Sequence, residues 1–197
     1  EVAQLMEALD GYRVSCLILA AVRLRVFETI DLSKVNIVAL ARKIGVHEFP
    51  LRRLLRALES LGYVRVSNQE VGLTSKGELL LGSKSVLADR ALLIGEEYLP
   101  AWSALDRSML TGEAAFDEVF GMNVWQHRAA HASLGESFNR VMADDQRCAR
   151  GAIADAFDFS DKRLLVDVGG GRGQLTAELL GRYPRLRAIL YDQPPVV

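Results

Sequence analysis

A glycine loop between a predicted strand and a predicted helix constrains the fold of this chain more than any other feature. The apolar run 164–168 is followed directly by the loop 169–173, which contains four glycines. A helical pattern follows the loop, and a second apolar run ends at Tyr191-Asp192. Strand, loop, helix and strand in this order are typical of a β-α-β unit in a parallel sheet. The C-terminal part is therefore predicted to begin an α/β domain that binds a nucleotide-type cofactor.

Two acidic residues define the chemistry of this predicted pocket. Asp167 lies at the end of the first strand, just before the loop, and Asp192 follows the second strand. A carboxylate at the first position favours a cationic or hydrogen-bond-donating ligand over a diphosphate, because like charges repel at short range. Asp192 can accept hydrogen bonds from both hydroxyls of a ribose. The dinucleotide pattern G-x-G-x-x-G fits poorly, since its third glycine position holds Gln174.

A second interpretation of the loop stays open at this point. Glycines also occur in strand-to-helix turns where they serve only the tight packing of the helix on the strand. The spacing Asp-x-Gly-x-Gly-x-Gly over residues 167–173, with a second acid at the end of its own strand, favours the cofactor pocket.

Residues 36–73 show a helix, a turn, a second helix and a hairpin. Apolar residues at helical spacing mark a first helix that ends at Gly45 and a second that stops at Gly62. A turn through His47 and Pro50 is expected between them. Two short strand-like runs around a polar turn follow the second helix. This order predicts a winged-helix arrangement.

Helical patterns dominate the rest of the N-terminal part. Residues 86–110 predict a helix broken at Pro100, and residues 132–157 predict one long helix. The composition changes across the linker 158–162, so we predict a domain boundary near residue 160. The chain is then mainly α over residues 1–160, and residues 161–197 form the first β-α-β of an α/β domain.

Residues 1–30 predict one or two apolar helices with a turn near Gly11. Their broad apolar face is expected to be buried, either against the same chain or against a partner subunit. The residues of this face are Leu5, Met6, Leu9, Cys16, Leu17 and Ala20.

Charge and composition exclude several classes of protein. The formal net charge of −1 and the sequence pI near 6.4 give no global attraction to nucleic acid or to an anionic membrane. The longest apolar stretch, 14–26, contains two arginines and is too short for a membrane span. Cys16 and Cys148 lack the spacing of metal ligands and indicate a reduced pair in a cytoplasmic protein.

Two further residue patterns raise alternatives. His127 and His131 are four residues apart and could share a helix face, but no third ligand of suitable spacing accompanies them, so no metal site is predicted. Arg52, Arg53 and Arg56 lie on the second helix of the winged-helix pattern, where a DNA-binding regulator would carry its recognition helix. The near-neutral charge favours a solvated polar face instead, and we predict no nucleic-acid partner.

The motif residues resemble one known family along the whole chain. The runs 167–173 and 191–197 are similar to those of the class I S-adenosylmethionine-dependent O-methyltransferases. The kind that resembles this chain most is the microbial enzymes that methylate aromatic polyketides and similar small molecules, which are related to plant caffeate-type enzymes. The runs 73–80, 116–121 and 138–142 look like the N-terminal part of that family. In such proteins this part forms an intertwined dimer and covers the substrate pocket.

The resemblance implies S-adenosyl-L-methionine as the cofactor and assigns residues to it. Cofactor-binding positions would be Asp167, Gly169, Gly170, Gly171, Gly173, Asp192, Gln193 and Met142. Within that set, Asp167, Gly169 and Gly171 would line the amino-acid end of the cofactor. Asp192 would hold the ribose, and Gln193 would lie beside the adenine. Phe138 and Trp125 would contact the substrate. An ordinary role in the core remains the alternative for Phe138 and Met142, because apolar residues four apart on a helix commonly pack together.

Members of the family continue for a further stretch of comparable length, with the remaining strands and, in many, a histidine that acts as general base. No catalytic residue is therefore assigned here. Two parallel strands do not make a stable sheet covered on both faces. We expect either that this chain is a truncated part of a longer protein or that a second polypeptide completes the sheet.

The predicted function is transfer of a methyl group from S-adenosyl-L-methionine to a hydroxyl of an aromatic or polyketide-like small molecule, in a homodimer that forms through the N-terminal helices. Two alternatives remain. One is a relative that binds the same cofactor but hydroxylates, decarboxylates or rearranges its substrate. The other is the winged-helix DNA-binding regulator.

Overall fold

The structure is a computed structural model, and it describes residues 1–82, 85–194 and 196. Pro195 and Val197, which belong to the C-terminal motif, lie outside the described residues. The chain divides into two compact units, Glu1–Leu134 and Gly135–Val197. Most of the described residues are helical, as the sequence predicts.

The first unit consists of short helices and one small sheet. A π-helical segment, Ile94–Tyr98, connects α7 and α8. The helices are α1 (Val2–Asp10), α2 (Tyr12–Arg23), α3 (Val26–Ile30), α4 (Ile37–Ile44), α5 (Glu48–Ser60), α6 (Ser75–Glu78), α7 (Val86–Leu93), α8 (Leu99–Ser103), α9 (Leu105–Thr111), α10 (Ala115–Phe120) and α11 (Val124–Ala130). The strands are β1 (Val35–Asn36), β2 (Val64–Ser67) and β3 (Glu70–Leu73).

The helices α4 and α5 and the hairpin β2–β3 are present as predicted. The hairpin turns at Asn68 and Gln69, which both have positive φ, as a type I′ turn requires. The sheet has the antiparallel order β1-β3-β2. Strand β1 was not predicted, because two residues are too short to show an alternating pattern.

The expected turn through His47 and Pro50 is wrong in its second half. Helix α5 already begins at Glu48, so Pro50 lies in its first turn. The first N–H groups of a helix have no partner within it, and a proline there removes no hydrogen bond.

The core of the first unit lies where α2 to α5 meet the sheet. The apolar spacing in the sequence predicts these buried positions in α4 and α5, and burying one large aliphatic side chain contributes about 1.5–3 kcal/mol. The cluster includes Ala21, Val22, Val26, Phe27, Ile30, Ile37, Leu40, Ala41, Leu51, Leu55, Leu58, Val64 and Val71.

The apolar face of α1 is not buried by the described residues of its own chain, which leaves burial against a partner subunit as the expectation for that helix. Leu5, Met6 and Leu9 are each about three-fifths exposed, and Cys16 on α2 is exposed as well. Gly11 has right-handed helical angles, so α1 leads into α2 almost without a turn. Helix α2 packs against α5 and α7, whereas no residue of α1 is buried.

The predicted break at Pro100 is also wrong. Pro100 lies in the first turn of α8, and the helical path is continuous from α7 through the π-helical segment into α8. The helix is π-helical before the proline, over Ile94–Tyr98. It is interrupted after the proline, at Ala104.

The second unit contains most of α12 (Ala132–Ala156), followed by β4 (Leu164–Val168), α13 (Gln174–Arg182) and β5 (Arg187–Tyr191). The two strands are parallel, with Leu164 opposite Arg187 and Val168 opposite Tyr191. The long helix, the glycine loop and the strand–helix–strand order are present as predicted. Among the described residues no helix is long and apolar enough to cross a membrane.

One face of the β4–β5 sheet is covered and the other is open. Leu179 of α13 and Leu186 are buried together with Ala154, and Leu165 of the strand packs against them. On the opposite face, side chains of both strands are half exposed or more. These are Leu164, Val166, Val168, Ile189 and Tyr191. Parallel sheets are normally covered on both faces, so covering this apolar face would stabilise the folded unit.

Candidate functional site

The glycine loop joins β4 to α13 at the carboxyl ends of the two parallel strands. Gly169, Gly171 and Gly173 have φ values of 73°, 60° and 73°, in the left-handed region that favours glycine. The N–H of Gly169 donates to the carbonyl of Tyr191 at 2.8 Å, which extends the pairing of the strands by one residue. The loop is therefore fixed to the sheet at its first residue.

Space around the loop differs from one glycine to the next. A Cβ at Gly170 would lie 2.5 Å from Cγ of Asp167 and 2.5 Å from Cδ1 of Leu190, so a side chain here would force the ends of these two side chains to move. A Cβ at Gly169 or Gly171 would have no atom of the described residues within 4 Å. The two interpretations of the sequence thus apply to different residues. Packing explains Gly170, and the left-handed conformation next to open space explains Gly169 and Gly171.

Asp167 is half-buried below the loop and has one hydrogen-bond donor among the described residues. Its Oδ2 accepts from the hydroxyl of Thr176 at 2.5 Å. Thr176 is buried in the first turn of α13. The strand that ends in the acid and the helix that follows the loop are therefore joined by a side-chain hydrogen bond.

Asp192 holds the other side of the loop. Its Oδ2 accepts from the N–H of Gly171 at 2.7 Å, and its Oδ1 accepts from the N–H of Gln193 at 2.6 Å. Each carboxylate oxygen can accept two hydrogen bonds, so acceptor capacity remains for a ligand. The sequence indicated a ligand-binding acid here and gave no sign that the same acid braces the loop.

Arg172 ties the loop to the long helix α12. Its Nη2 lies 2.5 Å from Oε2 of Glu136. Both side chains are more than a third exposed, and a pair of this kind contributes about 0–1 kcal/mol. The pair thus orients the arginine of the loop more than it stabilises the unit.

A cleft of about 150 Å³ lies between α12 and the loop. It has an acidic side chain on the loop side and a guanidinium on the helix side. The residues that line it are Asp167, Gly169, Gly170 and Leu175 on one side and Gln146, Ala149, Arg150 and Ile153 on the other. Drug-sized ligands occupy pockets of roughly 300–1,000 Å³, so this cleft suits one end of a cofactor.

The sequence motifs do not indicate the helix side of this cleft. Gln146 and Arg150 lie four and eight residues after Met142, so the helical spacing from that residue was a signal that could have identified them. Met142 and Phe138 are half-buried on α12, one and two turns before the cleft, and do not line it. Trp125 lies on α11 in the first unit and is half exposed, with the guanidinium of Arg128 5.5 Å from its ring centre.

A buried ionic cluster lies in the first unit. Glu97, on the π-helical segment, is fully buried, and its Oε2 lies 2.7 Å from Nη2 of Arg128. His127 Nδ1 lies 3.5 Å from Oε1 of Glu97. The rings of His127 and His131 stack with centres 4.2 Å apart. No group of three or more His, Cys, Asp or Glu among the described residues is arranged to hold a metal ion.

Comparison with known families gives two matches that together span most of the chain. A model of the O-methyltransferase dimerisation domain matches residues 6–83. A model of the O-methyltransferase domain matches residues 102–197.

Individual relatives agree with the family models. A phenazine O-methyltransferase of Lysobacter antibioticus is 31% identical over 194 residues, which cover 98% of this chain and 57% of the relative. The solved structure of a mitomycin 7-O-methyltransferase is 34% identical with a TM-score of 0.87, and the match covers 98% of this chain and 58% of that one.

A third similar protein has been solved with ligands. It is an O-methyltransferase from neocarzinostatin biosynthesis, in complex with S-adenosylmethionine and 2-hydroxy-5-methyl naphthoic acid. It is 27% identical with a TM-score of 0.78, and the match covers 93% of this chain and 57% of that one. The chain thus spans little more than half the length of each of these three proteins.

Proposed function

Because this chain belongs to the O-methyltransferase family that carries a dimerisation domain, we propose that the protein transfers a methyl group from S-adenosyl-L-methionine to a hydroxyl of an aromatic or polyketide-like small molecule. The observation that carries the proposal is the glycine loop between two acids, Asp167 and Asp192, at the carboxyl ends of parallel strands. The similar proteins support it, since their names describe O-methylation of a phenazine and a mitomycin. These names favour a methyl-transferring enzyme over both a non-methylating relative and a DNA-binding regulator.

The residues of the cleft match the chemistry of the cofactor. The amino-acid end of S-adenosyl-L-methionine carries one ammonium and one carboxylate, and the cleft offers Asp167 for the first and Arg150 for the second. Opposite charges attract each other more strongly in a protein cleft than in bulk water. Asp192 keeps acceptor capacity for the ribose hydroxyls, and Gln193 follows it at the position proposed for the adenine.

The cofactor supplies an electrophilic methyl group on a sulfonium, and the chain's own residues supply position. The open space at Gly169 and Gly171 lets the backbone approach a ligand closely. Holding two reactants in the correct geometry can supply much of the rate enhancement. We propose Met142 near the cofactor and Phe138 and Trp125 near the substrate.

The finer description of the domains is also part of the proposal. We infer that α4, α5 and the small sheet form a winged helix. We also infer that β4, α13 and β5 are the first elements of a Rossmann-like domain, with the domain boundary near residue 160. The antiparallel hairpin after two packed helices supports the first inference, and the parallel strands joined by a helix support the second.

The test of the function uses the full-length protein with S-adenosyl-L-methionine and a panel of hydroxylated aromatic compounds. We expect formation of S-adenosylhomocysteine together with a product heavier by one methylene unit. Asp192→Ala is expected to weaken S-adenosylhomocysteine binding by about 1–3 kcal/mol, because the hydrogen bonds to the ribose are lost. Isothermal titration calorimetry measures this change.

Asp161→Ala provides the matched control, because Asp161 is an exposed carboxylate of the same unit whose one ion pair among the described residues is with its neighbour Lys162. Its affinity for S-adenosylhomocysteine should equal that of the unchanged protein. Equal affinities for the Asp192 variant and this control would remove Asp192 from the site. Absence of S-adenosylhomocysteine binding altogether would refute the proposed function.

We propose further that the protein is a homodimer through its N-terminal helices. The match to a dimerisation domain over residues 6–83 and the open apolar face of α1 support this. Leu9→Glu is expected to raise the dimer dissociation constant at least about 100-fold, since each subunit loses roughly 1.5–3 kcal/mol of apolar burial. Gln4→Glu adds the same charge on the opposite face of α1 and should leave the dimer intact. Sedimentation velocity measures the dimer fraction of both variants. An unaffected dimer in the Leu9 variant would exclude the apolar face of α1 from the dimer interface.

A further inference from the structure

We propose that Thr176 is a positioning residue of the cofactor site. Its hydroxyl holds the carboxylate of Asp167 in the orientation that binds the ammonium of S-adenosyl-L-methionine, and so contributes to the affinity for the amino-acid end of the cofactor. This inference rests on the proposed function. It concerns a residue that neither the loop motif nor the spacing of the acids indicates.

The geometry leaves Asp167 one way to face a ligand. The Thr176 hydroxyl donates to Oδ2 at 2.5 Å, and Thr176 itself is only 8% exposed. On another side of the carboxylate, a Cβ at Gly170 would lie 2.6 Å from the same oxygen, so the loop backbone passes directly over it. Oδ2 is therefore enclosed by the helix and the loop. Within the described part of the chain no donor binds Oδ1, which leaves that oxygen for an ammonium.

The position of Thr176 suits this role. A threonine within a helix commonly donates to a carbonyl of the preceding turn, whereas here it donates out of the helix, to the strand on the far side of the loop. A hydrogen bond to a charged acceptor is shorter and stronger than one between neutral groups. Without the hydroxyl, the carboxylate keeps its charge but loses the contact that fixes its rotation. The expected defect is thus specific for the part of the ligand that Asp167 binds.

Two probes separate positioning from general stability. S-adenosylhomocysteine carries the amino-acid end, whereas 5′-methylthioadenosine is the same nucleoside thioether without it. In the full-length protein, Thr176→Val removes the hydroxyl at nearly constant volume and should weaken S-adenosylhomocysteine binding about tenfold. Binding of 5′-methylthioadenosine should stay unchanged. Thr176→Ser retains the hydroxyl and should restore the affinity for S-adenosylhomocysteine.

The outcomes are distinguishable. Thr111→Val, an exposed threonine in the first unit, controls for the substitution itself. If Thr176→Val lost affinity for both probes equally, the residue would have a structural role only and the inference would be overturned. Unchanged affinity for both probes would overturn it as well. Should the valine variant not fold, Thr176→Ala gives the same comparison of the two probes. If the unchanged protein binds neither probe, the proposed function fails and this inference fails with it.

Discussion

Replacing Glu97 with alanine is expected to lower the free energy of unfolding by about 3–5 kcal/mol, the range for removing one partner of a buried ion pair. Glu97 is fully buried, and two nitrogens of Arg128 donate to its carboxylate at 2.7 Å and 3.1 Å. The alanine variant takes away these hydrogen bonds, while the guanidinium keeps its charge at a position only 9% exposed. Urea unfolding followed by circular dichroism measures the loss.

The neighbouring residue provides a matched control. Glu96 belongs to the same π-helical segment and pairs with Arg23 at 2.5 Å, but both of these side chains are more than a third exposed. Glu96→Ala should therefore cost no more than about 1 kcal/mol. Replacing both charges together, as Glu97→Leu with Arg128→Met, should recover much of the stability, because apolar substitutes for a buried pair are often neutral. Equal effects at Glu96 and Glu97 would contradict the assignment of a buried pair.

The buried pair of Glu97 and Arg128 is a feature that the sequence could not predict, in contrast to the helices and the hairpin of the same unit. Helices α4 and α5 are predictable because apolar residues recur at helical spacing, and the hairpin is predictable from two apolar runs around a polar turn. Glu97 and Arg128 are 31 residues apart, and no local pattern joins them. A burial that depends on tertiary contacts leaves no periodic signal, so a buried glutamate looks the same in the sequence as a solvated one.

In the candidate site, too, the features with a local sequence pattern were predictable and the long-range contacts were not. The loop, its glycines and both acids were identified from spacing, because a strand, a tight turn and a helix each impose local requirements. The hydrogen bond from Gly171 to Asp192 spans 21 residues, and the one from Thr176 to Asp167 crosses from helix to strand. These contacts depend on how the strands pair and how α13 packs on them. For α1 the sequence left two alternatives open, since an apolar face does not tell whether its own chain or another covers it.

Gly170→Ala is expected to weaken S-adenosylhomocysteine binding about 10- to 100-fold, because losing a hydrogen bond to a charged group costs about 1.5–3 kcal/mol. The new methyl group would lie 2.5 Å from Cγ of Asp167 and 2.5 Å from Cδ1 of Leu190. The end of Leu190 can rotate away, whereas Asp167 can yield only by moving its carboxylate and stretching the bond to Thr176. The substitution thus acts on the group proposed to bind the cofactor, and titration calorimetry with S-adenosylhomocysteine measures it.

Gly181→Ala tests whether the effect belongs to the loop. Gly181 lies within α13 of the same unit, and a Cβ there would meet no atom of the described residues within 4 Å. Alanine is favoured over glycine inside a helix by about 0.5–1 kcal/mol, so this variant should bind S-adenosylhomocysteine normally and unfold at a slightly higher temperature. Normal binding by the Gly170 variant would show that the loop adapts at little cost.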